Sequence, residues 1–295
     1  MASFSLQGLS TPVILDGAWA TELQGLGLEL GGCADAWNLE HPELVQTVAR
    51  SYVRAGSRII LTNTFGANRE ALSLYGMTSN VAEINRAGVR LSRAASNGQA
   101  HVFASMGPSR KSLVRGEVLP SSLVASFAEQ ACLLAEAGAD ALVLETFTDL
   151  DELQIALHAA KATGLPVVAC LVFLAGSVAN SHITPETAAR VLADAGADAI
   201  GVNCCDFIES LVDVCRRLRA VTDRPLWFKP NAGTPKVVNG QIIYPMSQEA
   251  FVEGVRQLIE AGADMIGGCC GINSEAIQRI AQTAGPRGAR HGVEL

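Results

Sequence analysis

The feature that most constrains this chain is a phrase that recurs: AEAGADALVLET at 135–146, ADAGADAIGVNC at 193–204 and IEAGADMIGGCC at 259–270. Each copy reads as the end of an amphipathic helix, a glycine just past it, an Ala-Asp turn and a buried strand. VRAGSRIILTNT at 53–64 follows the same plan. Filling the intervals predicts eight strands: Val13–Asp16, Arg58–Asn63, Ala100–Ser105, Ala141–Glu145, Pro166–Phe173, Ala199–Asn203, Leu226–Pro230 and Met265–Gly268. The predicted helical stretches are 42–55, 80–97, 121–137, 149–163, 185–195, 206–220, 247–261 and 274–283. The strands are near-continuous apolar runs rather than alternating ones, which argues a parallel sheet covered on its outer face. The expected fold is α/β, a single (β/α)8 TIM barrel, with residues 1–295 forming one domain. An open doubly wound sheet is the competing arrangement, and no G-x-G-x-x-G follows the first strand to support it.

Composition narrows the function classes. Hydrophobic residues make up 49% and charged residues 17%, the balance of a chain with a large aliphatic core. The net charge is -7 and no Lys/Arg run tracks a phosphate backbone, so nucleic acid is not an expected partner. The opening MASFSLQGLSTPVILDG lacks a basic n-region and a long apolar h-region, and no segment reaches the roughly 18 apolar residues of a membrane span. The expectation is a soluble, cytoplasmic protein. Its C-terminal GPRGARHGVEL (285–295) is polar and reads as a frayed end.

In a βα barrel, chemistry is assembled where the strands end and the following loops begin. Here those places are polar or sulfur-bearing: Asp16, Asn63-Thr64, Glu145, Asn203-Cys204-Cys205, Asn231 and Cys269-Cys270. The chain has eight cysteines. In a chain of this length without a signal peptide, metal binding or plain burial explains them better than disulfides. Thiolates converging from strands six and eight make a ready zinc site, and three protein ligands leave a fourth position for substrate. Cys269 and Cys270 share one ion only if the backbone turns sharply, which Gly267, Gly268 and Gly271 permit. A strained vicinal disulfide between these two is the alternative. Cys33, Cys132, Cys170 and Cys215 read as small buried hydrophobes, and Cys205 stands ambiguously beside the ligand set.

Asp16 and Glu145, two carboxylates at strand ends, suit an α-ammonium group; a helix cap for Asp16 and a buried ion pair for Glu145 are their structural alternatives. Asn63, Asn203 and Asn231 read as groups that orient ligands or donate to a substrate carboxylate, with Asn203 and Asn231 expected in the substrate site, or else as turn formers. Trp19 and Trp37, and less so Trp227, offer an aromatic surface for a sulfonium or quaternary ammonium donor, or else packing. His41 in HPEL marks a helix start. Lys229 is the one strand-end lysine that a Schiff-base enzyme of this fold would use.

The segments DGAWATEL (16–23), WNLEHPELV (37–45), TNTFGANR (62–69), SMGPS (105–109), ETFTDLDEL (145–153), GVNCC (201–205), KPNAGTP (229–235) and IGGCCG (266–271) together resemble the homocysteine S-methyltransferases. That family includes betaine–homocysteine methyltransferase, S-methylmethionine-dependent enzymes and the homocysteine-binding module of cobalamin-dependent methionine synthase. The resemblance implies Zn2+ held by Cys204, Cys269 and Cys270, with Asp16 and Glu145 at the amino acid end of homocysteine. It implies methyl transfer to the homocysteine thiol from a small donor such as S-methylmethionine, S-adenosylmethionine or a betaine, or from a separate corrinoid protein. A non-catalytic zinc- or thiol-binding barrel is the rival reading. Trp19 stands where many relatives carry Met or Gly, the Trp37–Pro42 loop is short, and VFLAGSVANSHITPE (172–186) lacks a longer Gly-rich form; these departures fall on the donor side.

Overall fold

The recurring phrase has a physical explanation in the computed structural model, which describes residues 6, 9–174, 177–178, 183–206, 208–238 and 241–284. The repeat glycines Gly56, Gly138, Gly196 and Gly262 lie at φ between 89° and 120°, a region that side chains with a Cβ resist, and each ends a helix. The aspartate two residues after Gly138, Gly196 and Gly262, immediately before each strand, does different work. Asp140 accepts the Val102 N–H at 2.8 Å, Asp198 the Val167 N–H at 2.8 Å and Asp264 the Leu226 N–H at 3.0 Å. In every case the donor belongs to the neighbouring strand. The same carboxylates pair with Arg93, Lys161 and Arg219, each in or beside the last turn of the helix leading into that neighbour. One residue type, placed once per unit, thus ties a strand to the strand beside it and to the helix before it.

Eight parallel strands form the barrel: β1 Val13–Ile14, β2 Ile59–Leu61, β3 His101–Met106, β4 Ala141–Phe147, β5 Val167–Leu171, β6 Ala199–Asn203, β7 Leu226–Lys229 and β8 Met265–Ile266. Each precedes one outer helix: α1 Pro42–Arg54, α2 Val81–Ser96, α3 Pro120–Glu136, α4 Leu150–Lys161, α5 Pro185–Asp194, α6 Ile208–Arg219, α7 Gln248–Ala261 and α8 Ser274–Thr283. The ladder runs β1-β8-β7-β6-β5-β4-β3-β2. The expected (β/α)8 barrel is therefore the observed fold. Its seam between β1 and β2 carries one backbone hydrogen bond, Arg58 N–H to Ile14 O at 2.7 Å, helped by Ser57 Oγ on Leu15 O at 3.0 Å. There the Asp16 carboxylate accepts the Leu61 N–H at 2.7 Å, in place of a ladder carbonyl.

Alternation along the strands sorts the core into two layers. Val13, Leu15, Ile59, Leu61, Phe103, Val143, Val168 and Trp227 fill the barrel, with Phe103 and Trp227 stacked at 6.1 Å between centroids. Ile60, Val102, Leu142, Leu144, Ala169 and Ile200 face the helices. Pro42 opens α1 at its first turn with His41 as the N-cap residue, as its sequence predicts. Strands β1 and β8 are shorter than the sequence suggests, yet inter-strand bonding continues past them, with Gly267 N–H on Phe228 O and Gly268 N–H on Asp16 O, both at 3.0 Å. No helix among the described residues is long and apolar enough to cross a membrane. The tail at 285–295 and most of the segment at 174–182 lie outside the described residues.

Candidate metal centre

Cys204 closes β6 and adopts φ 57°, a left-handed conformation that swings its side chain out of the strand's alternation. Its N–H is held by Lys229 O at 3.0 Å. Past β8, Cys269 N–H donates to Pro230 O at 2.8 Å and Ile272 N–H returns to Cys269 O at 3.1 Å, the sharp turn that two adjacent ligands require. Gly271, at φ 80°, makes that turn possible. The three sulfurs of Cys204, Cys269 and Cys270 lie within 4.8 Å of one another, with Cys204 Sγ and Cys270 Sγ at 3.9 Å. A tetrahedral ion with Zn–S bonds of about 2.3 Å sets its sulfurs about 3.8 Å apart, so the thiols present fit zinc as they stand.

Hydrogen bonding divides the three thiols electrostatically. Contacts from Cys204 and Cys269 draw the Cys270 thiol downward against the upward push of burial, and the Tyr244 side chain packs against Gly271 beside it. For Cys269, the contact with Cys204 pulls downward, but that with Cys270, burial and the neighbouring Cys270 charge raise it on balance. The Cys204 thiol is driven upward by its hydrogen bonds with Cys269 and Cys270. The three sulfurs thus favour one thiolate among them, which is the chemistry a soft cation exploits.

Two asparagines hold the sulfur-bearing turns in place. Asn231 Oδ1 accepts the Cys270 N–H at 3.0 Å while its Nδ2 donates to Asp206 at 2.7 Å. Asn203, fully buried, accepts the Thr146 N–H at 2.7 Å, donates to Thr146 Oγ1 at 2.7 Å, and points Nδ2 at Cys269 Sγ from 4.0 Å. Asn63 instead serves the first loops, donating to Ala34 O at 2.7 Å.

Beside the sulfurs lies a buried charge network. Lys229 is 2% exposed and donates to Asp16 Oδ1 at 2.5 Å, while Trp19 Nε1 and the Leu61 N–H occupy Asp16 Oδ2. The buried ion pair therefore belongs to Asp16, and Glu145 is the carboxylate left without one. Glu145 takes the Ser105 hydroxyl, and burial pushes its carboxyl up to about 7 although Lys229 draws it down. Burial depresses the Lys229 ammonium, but Asp16, Glu145 and Cys269 outweigh it and its value is raised. A Schiff-base lysine needs the opposite shift, so Lys229 is poorly suited to that chemistry.

The remaining sequence candidates fall elsewhere. Trp19 is half-buried at the mouth through its bond to Asp16, whereas Trp37 sits against His41 at 4.5 Å in the layer between barrel and helices. Trp227 is sealed inside the barrel and presents no donor surface. Cys170 and Cys215 are buried as expected, Cys33 is half-buried, and Cys132 departs from the expectation by facing outward on α3. Cys205 is buried, receives the Phe173 N–H at 3.3 Å and stands apart from the ligand set. Sequence reasoning passed over Tyr244, Ser105 and Thr146, and the pairing of Lys229 with Asp16. The last had a signal, since a lysine inside the apolar run LWFKP requires a buried partner.

Fold and site together define a (β/α)8 barrel with a three-thiol, metal-competent mouth. Residues 13–284 match the family described as Homocysteine S-methyltransferase, and the chain belongs to that family. It is 28% identical to methionine synthase of Mycobacterium leprae (strain TN) over 94% of this chain and 25% of that protein. It is also 28% identical to betaine–homocysteine S-methyltransferase 1 of Danio rerio, over 92% of this chain and 72% of the relative. The chain thus spans about a quarter of the length of the mycobacterial methionine synthases it matches. The metallated form of the homocysteine methyltransferase MmuM from Escherichia coli superposes with a TM-score of 0.78 at 23% identity, covering 95% of this chain and 98% of that one. That likeness is one of fold.

Proposed function

We propose that this barrel transfers a methyl group from an activated donor to the thiol of homocysteine, giving methionine, with Zn2+ held by Cys204, Cys269 and Cys270. The observation that carries the reading is the convergence of those three sulfurs at zinc-like spacing on the mouth of a homocysteine S-methyltransferase barrel. Bound there, zinc supplies a Lewis acid that keeps an incoming thiol deprotonated at neutral pH.

The chain's own residues do the rest. Asn231 fixes the Cys270 peptide and Asn203 fixes the β4–β6 mouth, so the acceptor meets a pre-set surface. Glu145 receives the substrate ammonium, because its carboxylate is the one without a protein cation bonded to it. Asp16 contributes through its charge and through the Lys229 and Trp19 contacts that shape the pocket floor. The acceptor sulfur's lone pair forms the new S–CH3 bond as the methyl carbon parts from the donor, which keeps the bonding pair. A cationic donor is favoured by this acidic mouth, with Trp19 on the donor side; a methyl group on a separate corrinoid protein is the other source considered.

A donor panel with homocysteine as acceptor, run with and without chelator, tests the proposal. One donor is expected to yield methionine and lose that yield with the metal. A chain that holds one zinc yet makes no methionine with any small donor or methyl-corrinoid defeats it.

The Glu145 assignment carries its own pH dependence. With its carboxyl at about 7, rising pH from 6 to 8 ionises the group that the ammonium needs. The charged groups that act on it are Lys229, Cys269 and Asp16. Calorimetry with methionine, which avoids titration of a substrate thiol, is expected to show affinity rising about tenfold over that interval. Flat affinity, or the same slope in Glu145→Gln, counts against the assignment.

A further inference from the structure

The methyl donors considered above divide by one chemical feature. S-methylmethionine, S-adenosylmethionine and betaine each carry a carboxylate besides the cationic centre that holds the methyl group, whereas a methyl-corrinoid has none beside its methyl. A barrel that takes the first kind needs a cation at its mouth to receive that carboxylate. Lys229 is committed to Asp16, and Lys111 to Glu70 at 2.6 Å. Arg110, in the loop after β3, is exposed and makes no ion pair among the described residues.

This arginine is held out on a fixed turn. Its backbone lies at φ 62°, which a residue with a Cβ resists, and both neighbours are pinned: Ser109 N–H donates to Glu152 at 2.7 Å and Lys111 N–H to Ser109 Oγ at 3.2 Å. The guanidinium carbon sits 5.9 Å from the ring centroids of both Phe65 and Tyr75, and Nη1 donates to the Tyr75 hydroxyl at 2.9 Å. Phe65 joins this arm to the acceptor site. Its ring fills the space inward of Gly107, where a Cβ would fall 2.4 Å from Phe65 Cε2, and Gly107 N–H donates to Phe65 O at 2.7 Å. Met106 faces the helices, so Gly107 continues the inward face of Ser105, which is bonded to Glu145. Glu145, Phe65 and Arg110 therefore rise in that order on one side of the mouth. In a ring of eight strands that side, β2 and β3, stands opposite β6 and β7, so the arm faces the Cys204 turn. Asp35 does not cancel the charge by contact: it is buried, accepts the Gly66 N–H at 2.9 Å and makes no ion pair with Arg110. Between the two lies Gly66, where a Cβ would fall 2.7 Å from Asp35 Oδ2 and 3.3 Å from Arg110 Nη2, so the space beside the guanidinium is kept free of side chain.

The geometry points to Arg110 as the residue that receives the carboxylate of a zwitterionic methyl donor, so that donor choice is made on the β2–β3 side of the mouth. This role rests on the methyl-transfer reading above and favours a small carboxylate-bearing donor over a methyl-corrinoid. A guanidinium has five N–H groups in a planar fork, and with Nη1 on Tyr75 the others remain for two carboxylate oxygens. Anchored there, the donor turns its cationic centre toward the acceptor sulfur. As the new S–CH3 bond forms, the bond from the methyl carbon to the donor breaks; the donor keeps the pair, its cationic centre becomes neutral, and the carboxylate stays on Arg110. An arm that binds a group remote from the reacting bond holds ground state and transition state alike, so its loss raises KM and leaves kcat.

The test uses the zinc-loaded full chain as wild type, Arg110→Gln and Arg110→Lys, with S-methylmethionine, S-adenosylmethionine and betaine as probes. Each probe is run beside its carboxamide, which keeps the methyl-bearing centre and loses the negative charge. With the probe that is turned over, the wild type is expected to prefer the acid to the carboxamide by about tenfold in kcat/KM, the scale of one charge-assisted hydrogen bond. In Arg110→Gln the KM for the acid is expected to rise by about the same factor and the preference to vanish, with kcat, the KM for homocysteine and the zinc content unchanged. Arg110→Lys, which keeps the charge without the fork, is expected to retain part of the preference. Thermal unfolding reports whether the variants keep the fold, and the wild-type preference is a test that needs no variant. Absence of that preference overturns the Arg110 assignment, and so does a glutamine variant that loses acid and carboxamide turnover equally. Methionine formed from methyl-corrinoid alone overturns the assignment and leaves the methyl-transfer reading intact. No methionine from any donor overturns both.

Discussion

Replacing Cys204 with alanine is expected to remove bound metal and methionine formation together, while leaving the barrel folded. Structural zinc sites release about 10–16 kcal/mol over four ligands, so one thiolate accounts for about 3–4 kcal/mol, or several hundredfold in metal affinity. Dialysis against a weak chelator followed by elemental analysis reads this directly, with the wild type retaining one ion per chain. Alanine suits the position because any residue with a Cβ bears the same backbone cost at φ 57°, so the substitution adds no new strain. Cys204 is also the most informative of the three, since its sulfur has no protein donor other than its two partners among the contacts described. Circular dichroism should be unchanged, because the Cys204 N–H bond to Lys229 O is a backbone bond. A variant that still holds a full equivalent of zinc shows that the three sulfurs do not act as one site.

The second large effect lies in the charge network. Lys229→Met is expected to destabilise the fold by about 3–5 kcal/mol, the penalty for leaving a buried charge without its partner. Asp16 is fully buried, so its carboxylate has no water to turn to. Combining Lys229→Met with Asp16→Asn is expected to recover most of that loss, since the residual cost then belongs to two neutral groups. Urea unfolding of the four proteins gives the coupling. Because the Lys229 value is raised, the pair's contribution is fully present below the ordinary lysine value of 10.5 and is lost as pH climbs through the higher folded value. A loss below about 1 kcal/mol at neutral pH would mean that the pair is solvated in ways its burial denies.

How much of this was legible beforehand depended on the range of the interaction. The Ala-Gly-Ala-Asp phrase announced helix ends and strand starts because those are local events, set by a glycine at positive φ and a run of apolar residues. What the aspartate does was hidden, since its partner N–H lies on the neighbouring strand some 31 to 38 residues earlier in the chain. The cysteines were legible as a group because barrel closure brings strand ends to one mouth whatever the helices contain. Tyr244 was not, because its place against Gly271 depends on where the long loop after β7 sets the chain down. Asp16 was assigned to substrate, and its Lys229 partner, 213 residues away, was unforeseen. Cys132 illustrates the remaining gap: a small thiol on a helix tells little about which face it takes until the helix is docked.

Asp16 is also the rivet of the barrel's thinnest joint. Since its carboxylate stands in for a missing rung between β1 and β2, any substitution that retunes this corner of the pocket for another acceptor also unpins the wall around it. Broadening of substrate range should then travel with faster amide exchange at Leu61, so that the chemistry this protein can acquire is rationed by how far one carboxylate can be altered before the staves part.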